Sequence, residues 1–271
     1  QAFFSKAGIG LGGAGMLTAG NANLLRVHGT PMQKAVFAKQ EFAGRWSGTM
    51  CLSEPQAGSS LSDIAARAEP DGEGHDADPR GPRYRLRGQK MWISNGDHEL
   101  TENIVHLVLA KIPRPDGRLV PGTKGISLFV VPKKLVDTEA RLTGERNDVA
   151  LAGLNHKLGY RGIPNTLLNF GDGRCPVRAE GGGLDGRGAG AIGYLVGRPG
   201  EGLRCMFHMM NEARIAIGLG AAMIGYAGYE ASLKYARERV QGRPVGPGGK
   251  DASQPPVRSV GARSISVGTC P

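Results

Sequence analysis

The sequence predicts an α+β protein in which a central antiparallel β domain is flanked by helical segments. Three observations carry this. Between residue 46 and about residue 170, short β-rich runs alternate with Gly, Pro, Asn and Asp turns, and the absence of long helical stretches between them argues against a βαβ fold. From residue 200 to 241 the apolar residues fall near helical spacing. The chain, at 271 residues, is long enough to bury a real core in one or two domains.

In order, residues 1–45 are rich in Ala, Gly and Leu; Leu24, Leu25 and Val27, then Met32, Ala35 and Val36, predict short helices around a turn at His28-Gly29-Thr30-Pro31. Residues 46–199 form the β domain, with strands expected at 49–53, 84–93, 104–110 and 126–131. Within it, residues 171–190 hold eight glycines and scattered charges, which reads as a surface insertion. In residues 200–241, Leu203, Met206, Phe207, Met210, Ile215, Leu219, Met223 and Tyr226 make a helical stripe, weakened by Gly218, Gly220 and Gly225. A methionine stripe of this kind is core rather than a cofactor box. Residues 242–271 turn to Gly, Pro and basic residues with no periodicity.

Composition narrows the function classes. The chain carries 34 Lys+Arg against 24 Asp+Glu, a net charge of +10, which suits a basic soluble enzyme or a polyanionic ligand. There is no Lys/Arg run of five or more and aromatics are only 6%, so a nucleic-acid surface has no base-stacking platform. Four scattered cysteines (Cys51, Cys175, Cys205, Cys270) and six histidines without an H-E-x-x-H pattern give no zinc site. No apolar run approaches the ~20 residues of a membrane span, and no signal peptide is read, so a reducing, cytoplasmic setting is expected. Gly8-Ile9-Gly10-Leu11-Gly12-Gly13 satisfies G-x-G-x-x-G, but no β-branched strand precedes it and the next carboxylate is Glu41, so no dinucleotide site is read there. Ser59 does not sit in a G-x-S-x-G elbow.

Two segments carry chemistry. Met50-Cys51-Leu52-Ser53-Glu54-Pro55-Gln56-Ala57-Gly58-Ser59-Ser60 reads as a strand breaking into a Gly/Ser loop whose backbone N–H groups are open to an anionic or carbonyl-rich ligand. Gly88-Gln89-Lys90-Met91-Trp92-Ile93-Ser94-Asn95-Gly96 reads as a strand with a large aromatic and a hydroxyl close together. An isoalloxazine ring needs a flat apolar wall plus hydrogen-bonding groups at its edge. Taken singly, Trp92 reads as plain core, Ser53 as a strand-end hydroxyl and Arg239 as a solvated helix charge.

As a pair, in this order and spacing, the two segments resemble the middle-domain flavin motifs of the acyl-CoA dehydrogenase family, with serine for threonine at Ser53 and Ser94 and Ser60 where aspartate is common. The resemblance extends through His156-Lys157-Leu158-Gly159-Tyr160-Arg161 and Met209-Met210-Asn211-Glu212-Ala213-Arg214 and covers most of residues 20–250. Tyr194-Leu195-Val196-Gly197 and Tyr235-Ala236-Arg237-Glu238-Arg239 most resemble the branch that includes 3-methylmercaptopropionyl-CoA dehydrogenases.

The resemblance implies FAD as cofactor, an acyl-CoA as substrate, electron-transfer flavoprotein as acceptor and a homodimer or homotetramer. It implies that Met50, Leu52 and Ser53 serve the flavin pyrimidine edge, Ser59 its pyrophosphate and the substrate, Trp92 one ring face and Ser94 the N5 region. Arg239 and Gln241 would reach the adenosine diphosphate of a neighbouring subunit's FAD. Asn211 and Arg214 would line the acyl-CoA channel. The reaction implied is removal of the α-proton by a carboxylate and transfer of the β-hydride to flavin N5.

No residue is assigned as the base. The resemblance places it in a C-terminal helical domain that is largely missing here, or one residue before the helix arginine, which here is Ala213; Glu212 is turned about 100° away on a helix. Two further readings stay open: an inactive fragment that only folds or associates, and a DNA-binding flavoprotein of the same fold. The tail from Arg258 departs abruptly from the resemblance, which predicts a shifted reading frame after about Val257.

Overall fold

The computed structural model describes residues 2–178 and 187–240. The expected irregular tail, its frame shift and Gln241 lie outside the described residues. The described residues divide into two compact units, one within residues 10–217 and the other of residues 2–9 with 218–240.

Helix α1 (Ala2–His28) is longer than the short helices the sequence predicts, and its backbone is non-helical at Gly8. It covers the G-x-G-x-x-G run, so that run opens no strand-to-helix turn. Thr30 then caps the next helix through a reciprocal capping box with Gln33, and Pro31 occupies the first turn. The chain continues from α2 (Pro31–Gln33) through a π turn (Lys34–Ala38) into α3 (Lys39–Phe42).

The strands are β1 (Trp46–Cys51), β2 (Arg67–Pro70), β3 (Arg83–Ser94), β4 (Asn103–Lys111), β5 (Ile126–Pro132), β6 (Lys134–Val136), β7 (Leu142–Arg146), β8 (Val149–Leu154), β9 (Asn165–Phe170), β10 (Val177–Arg178), β11 (Arg187–Gly188) and β12 (Ala191–Val196). Helix α4 follows at Gly202–Glu238. The main sheet runs β1-β4-β5-β12-β3-β9-β8, and β2 pairs with both β3 and β4, which closes it into a barrel. Most pairs are antiparallel, as predicted, but β1 lies parallel to β4 in register Trp46↔Asn103 to Cys51↔Val108.

Two apolar cores explain the strand patterns. One fills the barrel, with Tyr84, Leu86, Ile93, Val108, Phe129, Val131 and Phe170. The other lies between the barrel and the helices, joining Leu24, Leu25 and Phe37 to Trp46, Val105, Leu107, Val130, Met206 and Met209. Strands β4 and β5 contribute alternate residues to both, so they are buried on both faces and read as continuous apolar runs. Only the first two turns of the expected α4 stripe are core, with Met206 buried and Leu203 and Met210 packed against it; Phe207, Ile215, Leu219 and Tyr226 are exposed, because helical spacing alone does not say what covers a face.

Polar pins fix the register. Asn21 of α1 donates its amide to the carbonyls of Thr49 (3.2 Å) and Val105 (2.8 Å), bridging the parallel pair β1/β4. Residues 179–186 of the expected glycine-rich insertion lie outside the described residues, and its described ends are tied down. Buried Asp148 accepts the N–H groups of Gly173 (2.9 Å), Cys175 (3.0 Å) and Gly190 (2.9 Å), and β10 pairs with β11. Gly48 is required by close approach: a Cβ there would fall on Glu41 Oε1 and 2.6 Å from Asn21 Cβ. Gly48→Ala is therefore expected to cost about 1–3 kcal/mol by overpacking, read as a lower urea midpoint at unchanged slope; an unchanged midpoint would refute the tight fit.

Candidate flavin site

β1 ends at Cys51, and the turn beyond it is held to β3 by a buried ion pair. Lys90 is fully buried; its Nζ donates to Glu54 Oε1 at 2.8 Å and to the carbonyl of Leu52 at 2.9 Å. Glu54 also accepts the N–H groups of Ala65 (2.7 Å) and Ala66 (3.1 Å) and the amide of Gln56 (2.8 Å). Burial alone would raise the Glu54 pKa, but the Lys90 ammonium and the two backbone donors outweigh it and hold the carboxyl below its ordinary range. Burial pulls the Lys90 ammonium down against the attraction of Glu54. The Met91 N–H donates to the Ser53 carbonyl (2.9 Å) and completes the joint between the two sequence segments.

Just beyond that joint β3 bulges. Its register against β9 slips between Lys90 and Ile93, and Trp92 inside the slip has φ 65°. A bulky residue at positive φ is a strained conformation, costing of order 1–3 kcal/mol. The bulge turns the indole outward, leaving Trp92 56% exposed, whereas the plain-core reading buries it. The strand then resumes, with Ile93 buried, Ser94 half-buried and Thr166 Oγ1 donating to the Ile93 carbonyl (2.9 Å). The following loop is tied down by Lys133, which pairs with Asp97 (2.5 Å) and Glu99 (2.6 Å) and donates to the His98 carbonyl (3.0 Å).

Among the expected site residues, Leu52, Ser53, Trp92 and Ser94 are brought onto adjoining backbone. The Leu52 side chain is core, so what it offers a ligand is backbone; Met50 is half-buried and packs on the same core. Ser59 is exposed in the turn after Ala57. Asn211 and Arg214 are exposed on α4, where Arg214 Nη1 donates to Asn211 Oδ1 (3.2 Å) and its guanidinium lies over the Phe207 ring (5.8 Å). Arg239 belongs to the second unit, its guanidinium 5.8 Å from the Tyr235 ring centroid.

Glu54 and Lys90 were missed as site residues, although a signal existed. Lys90 shares strand parity with Tyr84 and Leu86, which directs it inward, and a lysine directed inward requires a carboxylate. Ser47 and His98 make a Ser–His contact (3.2 Å), but it is not a nucleophile pair. His98 Nδ1 accepts the Leu100 N–H, so Nε2 carries the proton and donates to Ser47. The Ser47 hydroxyl in turn donates to Thr101, whose proton goes to the Asn103 carbonyl. Among the described residues no metal-binding cluster occurs and no helix is long and apolar enough to cross a membrane.

These residues fit a flavin. A flat ring ligand needs an exposed aromatic face and nearby hydrogen-bonding groups, and an outward-turned indole at Trp92, a half-buried hydroxyl at Ser94 and the turn joined to this strand by the Met91–Ser53 hydrogen bond are groups of that kind.

Residues 49–172 match the acyl-CoA dehydrogenase middle domain. The chain is 38% identical, over 94% of its length, to the 3-methylmercaptopropionyl-CoA dehydrogenase of Ruegeria pomeroyi, and 37% identical, over 83%, to a butyryl-CoA dehydrogenase of Syntrophomonas wolfei. It spans only 40% and 33% of those relatives. In fold it is similar to the acyl-CoA dehydrogenase of Bacillus anthracis solved with FAD (24% identity, TM-score 0.62, 89% of this chain and 34% of that one). By its middle domain, its barrel and its paired motifs, this chain belongs to the acyl-CoA dehydrogenase family, whose members bind FAD.

Proposed function

We propose that this chain is the flavin-holding part of an FAD-dependent enzyme that dehydrogenates an acyl-CoA thioester between its α and β carbons. The observation that carries the reading is Trp92: a strained, outward-turned indole two residues beyond Lys90, whose ion pair with Glu54 joins both motifs. FAD, when bound, supplies the hydride acceptor. The chain's own residues bind and orient. The Trp92 indole backs one ring face, the turn at 52–54 meets the pyrimidine edge, the Ser94 hydroxyl serves the N5 side, and Ser59 serves the pyrophosphate and the substrate. Asn211 and Arg214 face the thioester channel. Similarity to the Ruegeria pomeroyi enzyme makes 3-methylmercaptopropionyl-CoA the substrate to test first. Electron-transfer flavoprotein as acceptor, and a homo-oligomer in which Arg239 and Gln241 reach a neighbour's FAD, follow from the same reading. The α-proton is left without an assigned base.

The test is the visible spectrum of the chain after gel filtration with FAD, recorded anaerobically before and after adding 3-methylmercaptopropionyl-CoA. Retained flavin that bleaches is the expected result. Retained flavin that stays oxidised keeps the cofactor site and removes the activity; absence of retained flavin refutes the proposal. Trp92→Gly separates binding from folding. It is expected to lose flavin retention while remaining folded, because glycine accepts φ 65° without strain and that relief offsets part of the packing lost with the half-exposed indole. Retention unchanged in Trp92→Gly would remove the indole from the site.

A further inference from the structure

We infer that Lys90 tunes the flavin electrostatically through the Leu52–Ser53 peptide, and that the Glu54–Lys90 pair sets the balance of charge behind the pyrimidine edge. This rests on the flavin reading above and deepens it. The geometry is specific. Lys90 Nζ lies 2.9 Å from the Leu52 carbonyl oxygen, and the N–H of that same peptide unit belongs to Ser53. A cation on the carbonyl end of a peptide polarises the unit and strengthens its N–H as a donor, most of all where the surroundings are dry. Lys90 is fully buried and Glu54 is 5% exposed, so water does little to screen either charge. The ammonium is shared between a carboxylate at 2.8 Å and this one carbonyl, so its field is only partly cancelled at the turn. Negative charge at the pyrimidine edge grows on flavin reduction, and charges close to that edge shift the potential.

A purely structural role and a tuning role make different predictions. Both Lys90→Met and Glu54→Gln break the ion pair and loosen the same turn, so a structural role moves the flavin in one direction for both. A tuning role moves it in opposite directions, because one variant leaves a negative and the other a positive charge behind.

The experiment is an equilibrium reductive titration of the bound flavin against a reference dye, together with FAD affinity, for the chain and the two variants. Lys90→Met is expected to weaken binding of the reduced form about tenfold relative to the oxidised form, a drop of about 30 mV for a two-electron couple. Glu54→Gln is expected to raise the potential. Shifts of the same sign, or no shift while flavin is retained, overturn the inference and leave the flavin reading intact. An unsubstituted chain that retains no flavin overturns both. Should Lys90→Met fail to fold, the doubly substituted Lys90→Met/Glu54→Gln chain, with no uncompensated charge, is expected to show a smaller downward shift; an unchanged potential there also refutes tuning.

Discussion

Lys90→Met alone is expected to destabilise the chain by about 3–5 kcal/mol, and Lys90→Met/Glu54→Gln together by clearly less than the sum of the single losses. The reason is the asymmetry of buried charge. With Lys90 gone, Glu54 keeps the N–H groups of Ala65 and Ala66 and the Gln56 amide but loses the buried cation it pairs with, in a place where it is 5% exposed. An uncompensated charge there costs far more than the intact pair contributes relative to neutral groups. A loss of this size is a large part of the 5–15 kcal/mol that holds a typical domain together. Urea titrations of the two single variants and the double variant close the cycle. A coupling of more than about 2 kcal/mol is expected. Additive losses would mean that the two charges are not felt as a pair.

Glu41→Leu is expected to act in the other direction and to stabilise the chain by about 1–3 kcal/mol at pH 8. Glu41 is 3% exposed, and neither of its carboxyl oxygens has a hydrogen-bond partner among the described residues. Burial alone holds its pKa well above the ordinary value. The folded chain therefore keeps a proton that the unfolded chain releases above about pH 4.3. Folding takes up that proton, so this group's contribution is most favourable below the unfolded pKa. It is eroded as pH rises, by up to about 1.4 kcal/mol per pH unit, until the folded pKa is reached. Leucine removes the erosion. The stability difference between Glu41→Leu and the unsubstituted chain should be small near pH 4 and widen toward pH 8. A difference that stays constant across that range would show that Glu41 does not titrate in the folded state as described.

Much of this was legible along the chain because it depends on local spacing. Strand positions 84–93, 104–110 and 126–131 sit within β3, β4 and β5 to within a residue at each end, since apolar and β-branched runs bounded by Gly, Pro and Asn have one good solution. The helix expected over 200–241 is α4, Gly202–Glu238, because apolar residues there recur at helical spacing. The strand β12 and the parallel pairing of β1 with β4 were not legible. Pairing is decided between segments more than fifty residues apart, and Asn21, a helix residue, holds that parallel pair by its amide.

The candidate site divides in the same way. Residue types and motif order, read from the sequence by itself, determined the α+β class, the β domain between residues 46 and 199 as an expectation, and a flavin-like pair of segments with Trp92 and Ser94 adjacent to it. Only the tertiary structure decided which way those side chains face. Strand alternation puts Trp92 on the same side as Tyr84, Leu86 and Lys90, all of which are buried; one bulge between Lys90 and Ile93 reverses the parity, buries Ile93 and turns the indole out. Strand alternation is a property of neighbours along the chain. A bulge is imposed by the partner strand β9 and by the buried Lys90–Glu54 pair that anchors one side of it, so its position is set by contacts the linear order does not contain.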